Sequence, residues 1–282
     1  MGFSRKTSFI FVTMVYILAI IAGFAAYMIC PGMLWVRLLV ADVVSTVITF
    51  IFSVIFDNAS VYDPYWSVQP IVIMAAFACA YGICTSSLLL MMVVFIWGVR
   101  LTANWAYTFH GLDHQDWRYT MLKEKTGSFY PVINFIGIHM VPTLIVYMAV
   151  FPAVCVIQNN AEFKALSLIG AVISLLAVVL QATSDYQMHS YRKIKTTPFI
   201  NTGLWKYSRH PNYLGEILMW WGVALYAVAT IGFKWYLLAG ALANTLLFLF
   251  VSIPMAEGKQ KKKPGYGEYK ARTRMLLPIK SE

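Results

Sequence analysis

Apolar positions in this chain fall in long unbroken runs rather than at the alternating spacing of half-buried helices or strands. Runs of spanning length occupy 9–30, 35–56, 67–84, 86–109, 131–158, 163–184, 213–233 and 235–256. A hydrocarbon core about 30 Å thick needs about 20 apolar residues in an α-helix to cross it. Inside that core every backbone N–H and C=O must be satisfied within the segment, so runs of this length fold as helices. The pattern predicts an all-α integral membrane protein with about eight transmembrane helices. The third run is the shortest. The fifth carries Pro142 and Pro152 and is expected to kink or to lie partly at the interface.

The polar residues between the runs set the orientation. With eight spans, eighteen of the 22 Lys and Arg residues fall on one side. They are Arg5 and Lys6, then Arg118, Lys123 and Lys125, then the loop from Arg192 to Arg209, then the tail from Lys259 to Lys280. Arg37, Lys164 and Lys234 fall on the other side, and Arg100 lies within a span. Basic residues stay cytoplasmic, which predicts both termini in the cytoplasm of a bacterial inner membrane or an endoplasmic reticulum. Only 12% of the residues are charged and 60% are hydrophobic, against about 25% charged in soluble domains. Topology therefore accounts for most of the net charge of +10, and no nucleic-acid partner is called for. The lysines of 259–263 suit anionic membrane lipids. The first run is long enough to remain as a span rather than a cleaved leader. Cys30, Cys79, Cys84 and Cys155 form no CxxC and have no nearby His pair, so no metal site or disulfide frame is expected. No repeat or linker divides the chain, and nothing calls for an obligate protein partner. It reads as one membrane domain, 1–282, with N-terminal helices over 1–160 and a C-terminal region over 181–278 that holds most of the unexplained polar residues.

Four ionisable residues stand out in or beside the apolar runs: Asp42, Arg100, Asp185 and Glu216. Each costs about 2.5–3.5 kcal/mol at the middle of a span. Asp42 reads as one end of a helix–helix hydrogen bond. Arg100 suits either a structural pair or an active site. In QATSDYQMHSYRK, Gln181, Asp185, His189 and Arg192 recur at i, i+4, i+8 and i+11 and so share one helical face. In GLWKYSRHPNYLGEI, Pro211 suits the first turn of a helix. Arg209 and His210 stand just before it, where free N–H groups and the positive dipole end favour anions. Asn212 and Tyr213 each share a face with Glu216. An amide and a carboxylate suit a nucleotide's ribose or carboxamide, and arginine suits its phosphates.

These stretches, together with YGEYKARTRMLLP near the C-terminus, resemble the C-terminal domain of steroid 5-alpha-reductases and sterol reductases from Gln181 to Pro278. YDPYWSVQP, IWGVRL and DWRYTML resemble a mostly bacterial branch of that superfamily. The resemblance implies an oxidoreductase acting on CH–CH bonds, with NADPH in a cytoplasm-facing cavity. Hydride would pass to the β-carbon of an enone in a hydrophobic lipid (a steroid, a sterol or another enone) entering from the bilayer. It assigns Gln181, Asp185, Arg192, Tyr207, Arg209, His210, Asn212 and Glu216 to the cofactor, with Tyr269 and Arg272 or Arg274 matching the closing motif. Steroid 5-alpha-reductases place a Glu and a Tyr in the N-terminal helices as proton donors. Here YDPYWSVQP has no Glu and IWGVRL has Trp97 near the Tyr slot, which leaves Asp63 and Arg100 as candidates to polarise the carbonyl. NADPH is expected over NADH. Arg209→Ala is expected to weaken cofactor binding without unfolding the protein. An alternative is a lipid or isoprenylcysteine methyltransferase using S-adenosylmethionine, whose RHPxYxG element, following Glu and YxxY-like tail compare with Glu257 and YGEY at 266–269. A transporter is disfavoured, because the intramembrane charges gather at one face and no inverted repeat is apparent.

Overall fold

The structure is a computed structural model and describes residues 3–277 of the 282. Pro278 and Lys280 lie outside the described residues. All eight apolar runs are helical. The helices are α1 (Arg5–Ile29), α2 (Leu34–Ile55), α3 (Tyr65–Tyr81), α4 (Thr85–Thr108), α5 (Trp117–Thr126), the short α6 (Tyr130–Val132), α7 (Val141–Gln158), α8 (Ser167–Ile194), α9 (Pro211–Ile231), α10 (Tyr236–Leu247), α11 (Ile253–Gln260) and α12 (Tyr266–Arg272). Among the described residues there is no strand, only a single parallel bridge between Ser208 and Arg274.

Seven helical segments are long and apolar enough to cross a membrane: Arg5–Ile29, Leu34–Ile55, Thr85–Thr108, Trp117–Gln158, Ser167–Ile194, Pro211–Ile231 and Tyr236–Gln260. The protein is thus an all-α, multi-pass membrane protein. The expected third span is the exception. α3 has 17 residues, about 25 Å at 1.5 Å per residue, a little short of the hydrocarbon core. It still leads from one end of its bundle to the other. The segment after α2 meets the segment after α4 where Asn58 Nδ2 donates to Leu112 O at 2.6 Å. α3 starts from that end, and its Ser67 hydroxyl lies 2.8 Å from that of Thr102 in the second half of α4.

The fifth run does not simply kink. Residues Ile133–Met140 form a π-helix leading into α7, and a second π-helix, Phe248–Ser252, joins α10 to α11. Each precedes a proline at the start of the next helix, Pro142 and Pro254. Proline cannot donate to the carbonyl four residues back, and its ring crowds that carbonyl. A widened turn relieves both problems without breaking the helix.

The chain divides into two compact units. Unit 1 comprises Met1–Ala80 and Trp97–Met148, and unit 2 comprises Tyr81–Ile96 and Ala149–Glu282. The cuts fall inside α3, just before its last residue, and inside α4 and α7 rather than in a linker. In unit 1, α1 begins with Ser4 accepting from Thr7 N, and its Val12 and Val15 pack with Val61, Phe109 and Leu112. In unit 2, α8 and α9 lie so close that a side chain on Gly222 would place its Cβ 2.2 Å from Ser174 Oγ and 2.6 Å from Gly170 O. Ser174 Oγ donates to Met219 O across the same contact, at 2.9 Å.

Candidate functional site

The antiparallel pairing of α8 and α9 fixes which polar residues meet in unit 2. Gly215 has no room for a side chain against Gln181 Cγ, 2.5 Å from where its Cβ would be. Glu216 beside it receives Gln181 Nε2 at 3.1 Å on Oε2 and Trp220 Nε1 at 2.9 Å on Oε1. Both Gln181 and Glu216 are buried. One turn nearer the polar end, the same register brings Asp185 level with Asn212, and both are half-buried. Of the face read from the sequence, Gln181 thus meets Glu216 of α9. Arg192 stands exposed in the last turn of α8 with Lys193, and Lys195 follows as the C-cap.

The loop between these helices is docked onto α8. Gly203, at φ 60°, leaves no space for a Cβ, which would lie 2.5 Å from Gln187 Oε1. That oxygen accepts from Leu204 N at 2.9 Å, and Trp205 Nε1 donates to Ser184 O at 3.2 Å. Tyr207 projects into solvent, 51% exposed.

Arg209 is buried and fully engaged. Its Nε and Nη2 donate to Glu257 Oε1 at 2.8 and 2.7 Å, its Nη1 to the carbonyls of Lys270 and Thr273, and its backbone N–H to Arg274 O. Lys270 Nζ holds the other oxygen of Glu257 at 2.5 Å. Arg209 thus clasps α11, α12 and the segment after them to the start of α9. A phosphate would reach its guanidinium only if Glu257 let go. His210 stacks flat on Tyr213, 5.3 Å between ring centroids and 4° between planes. Burial pushes its imidazole down to about 4 against the pull of Glu257, so its 3.5 Å approach to Glu257 is not an ion pair at neutral pH. Tyr269 donates to Trp205 O at 2.5 Å, and exposed Arg272 lies 3.3 Å from Glu268 one turn back on α12. Of these matches to the closing motif, Tyr269 ties the tail to the loop before α9, whereas the Arg272 pair stays within α12.

One electrostatic feature of unit 2 points outward. The Lys263 ammonium is held below its ordinary range, first by burial and then by repulsion from Lys195 and Arg192. The end of α8 and the tail thus bring like charges together.

The two electrophile candidates lie in unit 1. Tyr119 OH donates to Asp63 Oδ1 at 2.5 Å. Burial pushes the Asp63 carboxyl up to about 7, opposed by Arg118 and reinforced by Asp116. Asp116 caps α5, accepting from Arg118 N at 2.8 Å. Arg100 is half-buried on α4. Asp42 does make the helix–helix contact read from the sequence: Tyr65 OH and Gln69 Nε2, both on α3, reach its carboxylate. Gln69 Nε2 also donates to Thr143 O at 3.3 Å, a contact that no spacing marks, since a threonine in an apolar run looks like filler. Among the described residues, no group of three His, Cys, Asp or Glu could hold a metal. An open groove of about 620 Å³ in unit 2, lined by Tyr81, Phe151, Cys155, Gln158, Asn159 and Tyr236, contains none of the candidate residues.

Residues 49–273 match a family model described as "Protein of unknown function (DUF1295)". The chain is also similar to a Schizosaccharomyces pombe (strain 972) protein described as uncharacterised, with 27% identity over 197 residues. That alignment covers 60% of this chain and 57% of the yeast protein, little more than half its length. No solved structure matches the chain.

Proposed function

The chain belongs to the DUF1295 family, and we propose that it is a membrane-embedded, NADPH-dependent reductase of a conjugated C=C bond in a hydrophobic lipid. In this reading it lies in a bacterial inner membrane or an endoplasmic reticulum, with both termini and the polar end of unit 2 in the cytoplasm. The observation that carries the reading is the register of α8 and α9, which stacks Gln181 on Glu216 and Asp185 level with Asn212 in one unit. The sequence resemblance to steroid 5-alpha-reductases assigns these same positions to the cofactor.

The residues present fit a phosphorylated dinucleotide. Asp185 and Asn212 offer a carboxylate and an amide to ribose hydroxyls and a carboxamide. Arg192, Lys195 and Lys263 repel one another, and a phosphate among them would turn that repulsion into attraction. This favours a cofactor with the extra 2′-phosphate. Arg209 acts differently from the expectation: it positions the start of α9 by tying the tail to it.

Bound NADPH would supply the hydride. Hydride addition to an enone leaves negative charge on the carbonyl oxygen, so a proton or a strong hydrogen bond is needed there. Asp63 is suited to hold that proton. At neutral pH a substantial share of its carboxyl is neutral, and Tyr119 OH is in direct contact with it. Arg100 is the cationic candidate in the same unit.

Thermal shift of the detergent-purified chain tests the proposal. The expected result is stabilisation by NADPH, weaker stabilisation by NADH and none by S-adenosylmethionine. A second reading, a lipid methyltransferase, gains from the Arg209–Glu257 pair, which joins the two elements on which that resemblance rests. Stabilisation by S-adenosylmethionine and not by NADPH would overturn the reductase and favour this reading.

A further inference from the structure

The electrophile candidates stand in unit 1, but α10 of unit 2 carries a further polar group inside its span. We propose that the side-chain amide of Asn244 is a binding site for a carbonyl oxygen within the membrane, and that this oxygen belongs to the lipid substrate. The inference rests on the reductase reading above and adds a substrate contact within unit 2.

The buried residues of α10 are Leu237, Gly240, Ala241 and Asn244. Their spacing of i, i+3, i+4 and i+7 makes one stripe, and α10 packs against α9. Asn244 is the polar member. It is 5% exposed, and among the described residues its Nδ2 is sealed from the surface with no hydrogen-bond partner. Buried polar groups are paired as a rule, and an unpaired donor inside an apolar span is costly. The next residue shows that partners are within reach of this helix. Thr245 Oγ1 donates to Ala241 O at 2.8 Å and accepts from Trp221 Nε1 at 2.9 Å. Since Asn244 is buried within one chain, the acceptor that completes it has to enter the molecule rather than sit on its surface.

Two contacts give its level. The rings of Tyr213 and Phe248 lie 4.9 Å apart, and Trp221 reaches Thr245. The helices run antiparallel, so Asn244, one turn before Phe248, lies level with the stretch from Ile217 to Trp221. That stretch is about 9–15 Å beyond Pro211, at 1.5 Å per residue. Asp185 and Asn212 stand nearer the polar end, where the proposed cofactor's ribose and carboxamide belong. Asn244 is deeper, at a level that suits a carbonyl carried by a lipid better than one carried by a nucleotide. Glu216 does not compete for the amide, because Gln181 and Trp220 engage its two oxygens. An amide N–H is a neutral donor. It binds a ketone oxygen, and that bond strengthens as charge builds on the oxygen, while the amide keeps its own proton. The π-helix Phe248–Ser252 begins one turn on, and such widened turns recur beside functional sites.

Infrared spectroscopy of the full chain in nanodiscs tests the contact, with a 4-en-3-one steroid carrying ¹³C in its carbonyl as the probe and thermal shift with NADPH beside it. In the wild type the labelled C=O band is expected to move to lower frequency on binding. In Asn244→Leu it is expected to stay where it lies in lipid, with NADPH-dependent turnover of the probe lower by about a hundredfold and stabilisation by NADPH unchanged. Asn244→Gln, which keeps the donor, is expected to retain a shifted band. Without ligand, Asn244→Leu is expected to melt no lower than the wild type, since it removes an unpaired donor. A lower Tm would mark the amide as part of the packing and overturn the inference, as would an unshifted band in the wild type or a shift that survives Asn244→Leu. Loss of NADPH stabilisation in Asn244→Leu with the band shift intact would give the amide to the cofactor's carboxamide and overturn the lipid contact. A wild type that gains no stability from NADPH would instead sink the reductase reading itself.

Discussion

Arg209 shows how a residue's type can be read from sequence while its partner cannot. Its place before Pro211 was legible, as was the anion-favouring helix start. Glu257 lies beyond two further helices, and no spacing rule joins them. The pair is nearly buried, with 8% and 13% side-chain exposure. Arg209→Ala would strand the carboxylate with Lys270 alone and two carbonyls without a donor. The expected cost is about 2–3 kcal/mol, read as a lower Tm in detergent. Lys270→Ala, at a 52% exposed position, should cost less than about 1 kcal/mol. Equal losses would contradict the clasp. Asp63 gives a pH signature of opposite sense to most acids. Its carboxyl is raised from 3.8 to about 7 in the folded chain. Between those values the folded state binds more protons than the unfolded one, so stability falls as pH rises. Tm should decline from about pH 5 to about pH 7, and Asp63→Asn should flatten that slope.

Helices were the most legible scale, because runs of apolar residues need no partner to declare themselves. The exceptions are physical. α3 stops at 17 residues because Gly82 follows with φ 85°, a conformation that ends a helix. The π-helices were invisible, since a widened turn shifts side chains around the helix only after the backbone has met its proline. The α8–α9 pairing was half legible. The polar face showed in the spacing, but the close approach at Gly170 and Gly222 did not, because glycines in a span have many uses. Gly222→Ala would drive a Cβ into Ser174 Oγ and Gly170 O, where backbone cannot yield. Overpacking of this kind costs about 1–3 kcal/mol. If Asp185 and Asn212 depend on this register, Gly222→Ala should also weaken NADPH stabilisation in thermal shift, whereas Gly258→Ala, with nothing within 4 Å, should change neither.

For the whole molecule, the segregation of Lys and Arg predicts both termini on the cytoplasmic side. A reporter fused after Glu282 should be active there, and activity on the opposite face would overturn the orientation and the placement of the polar loops. The division into units was not legible, because it cuts through α3, α4 and α7 without any change in composition. The clasp on Arg209 also has a consequence for how the protein is made. Translation delivers Arg209 to the membrane before α9, α10 and α11 exist, so during synthesis its cation has neither Glu257 nor the carbonyls of Lys270 and Thr273. It must wait in water, outside the lipid, while later spans insert. The polar end of unit 2 is thus assembled last, and a chain stopped before α11 would lack Glu257 and leave its loop open to the solvent and to proteases.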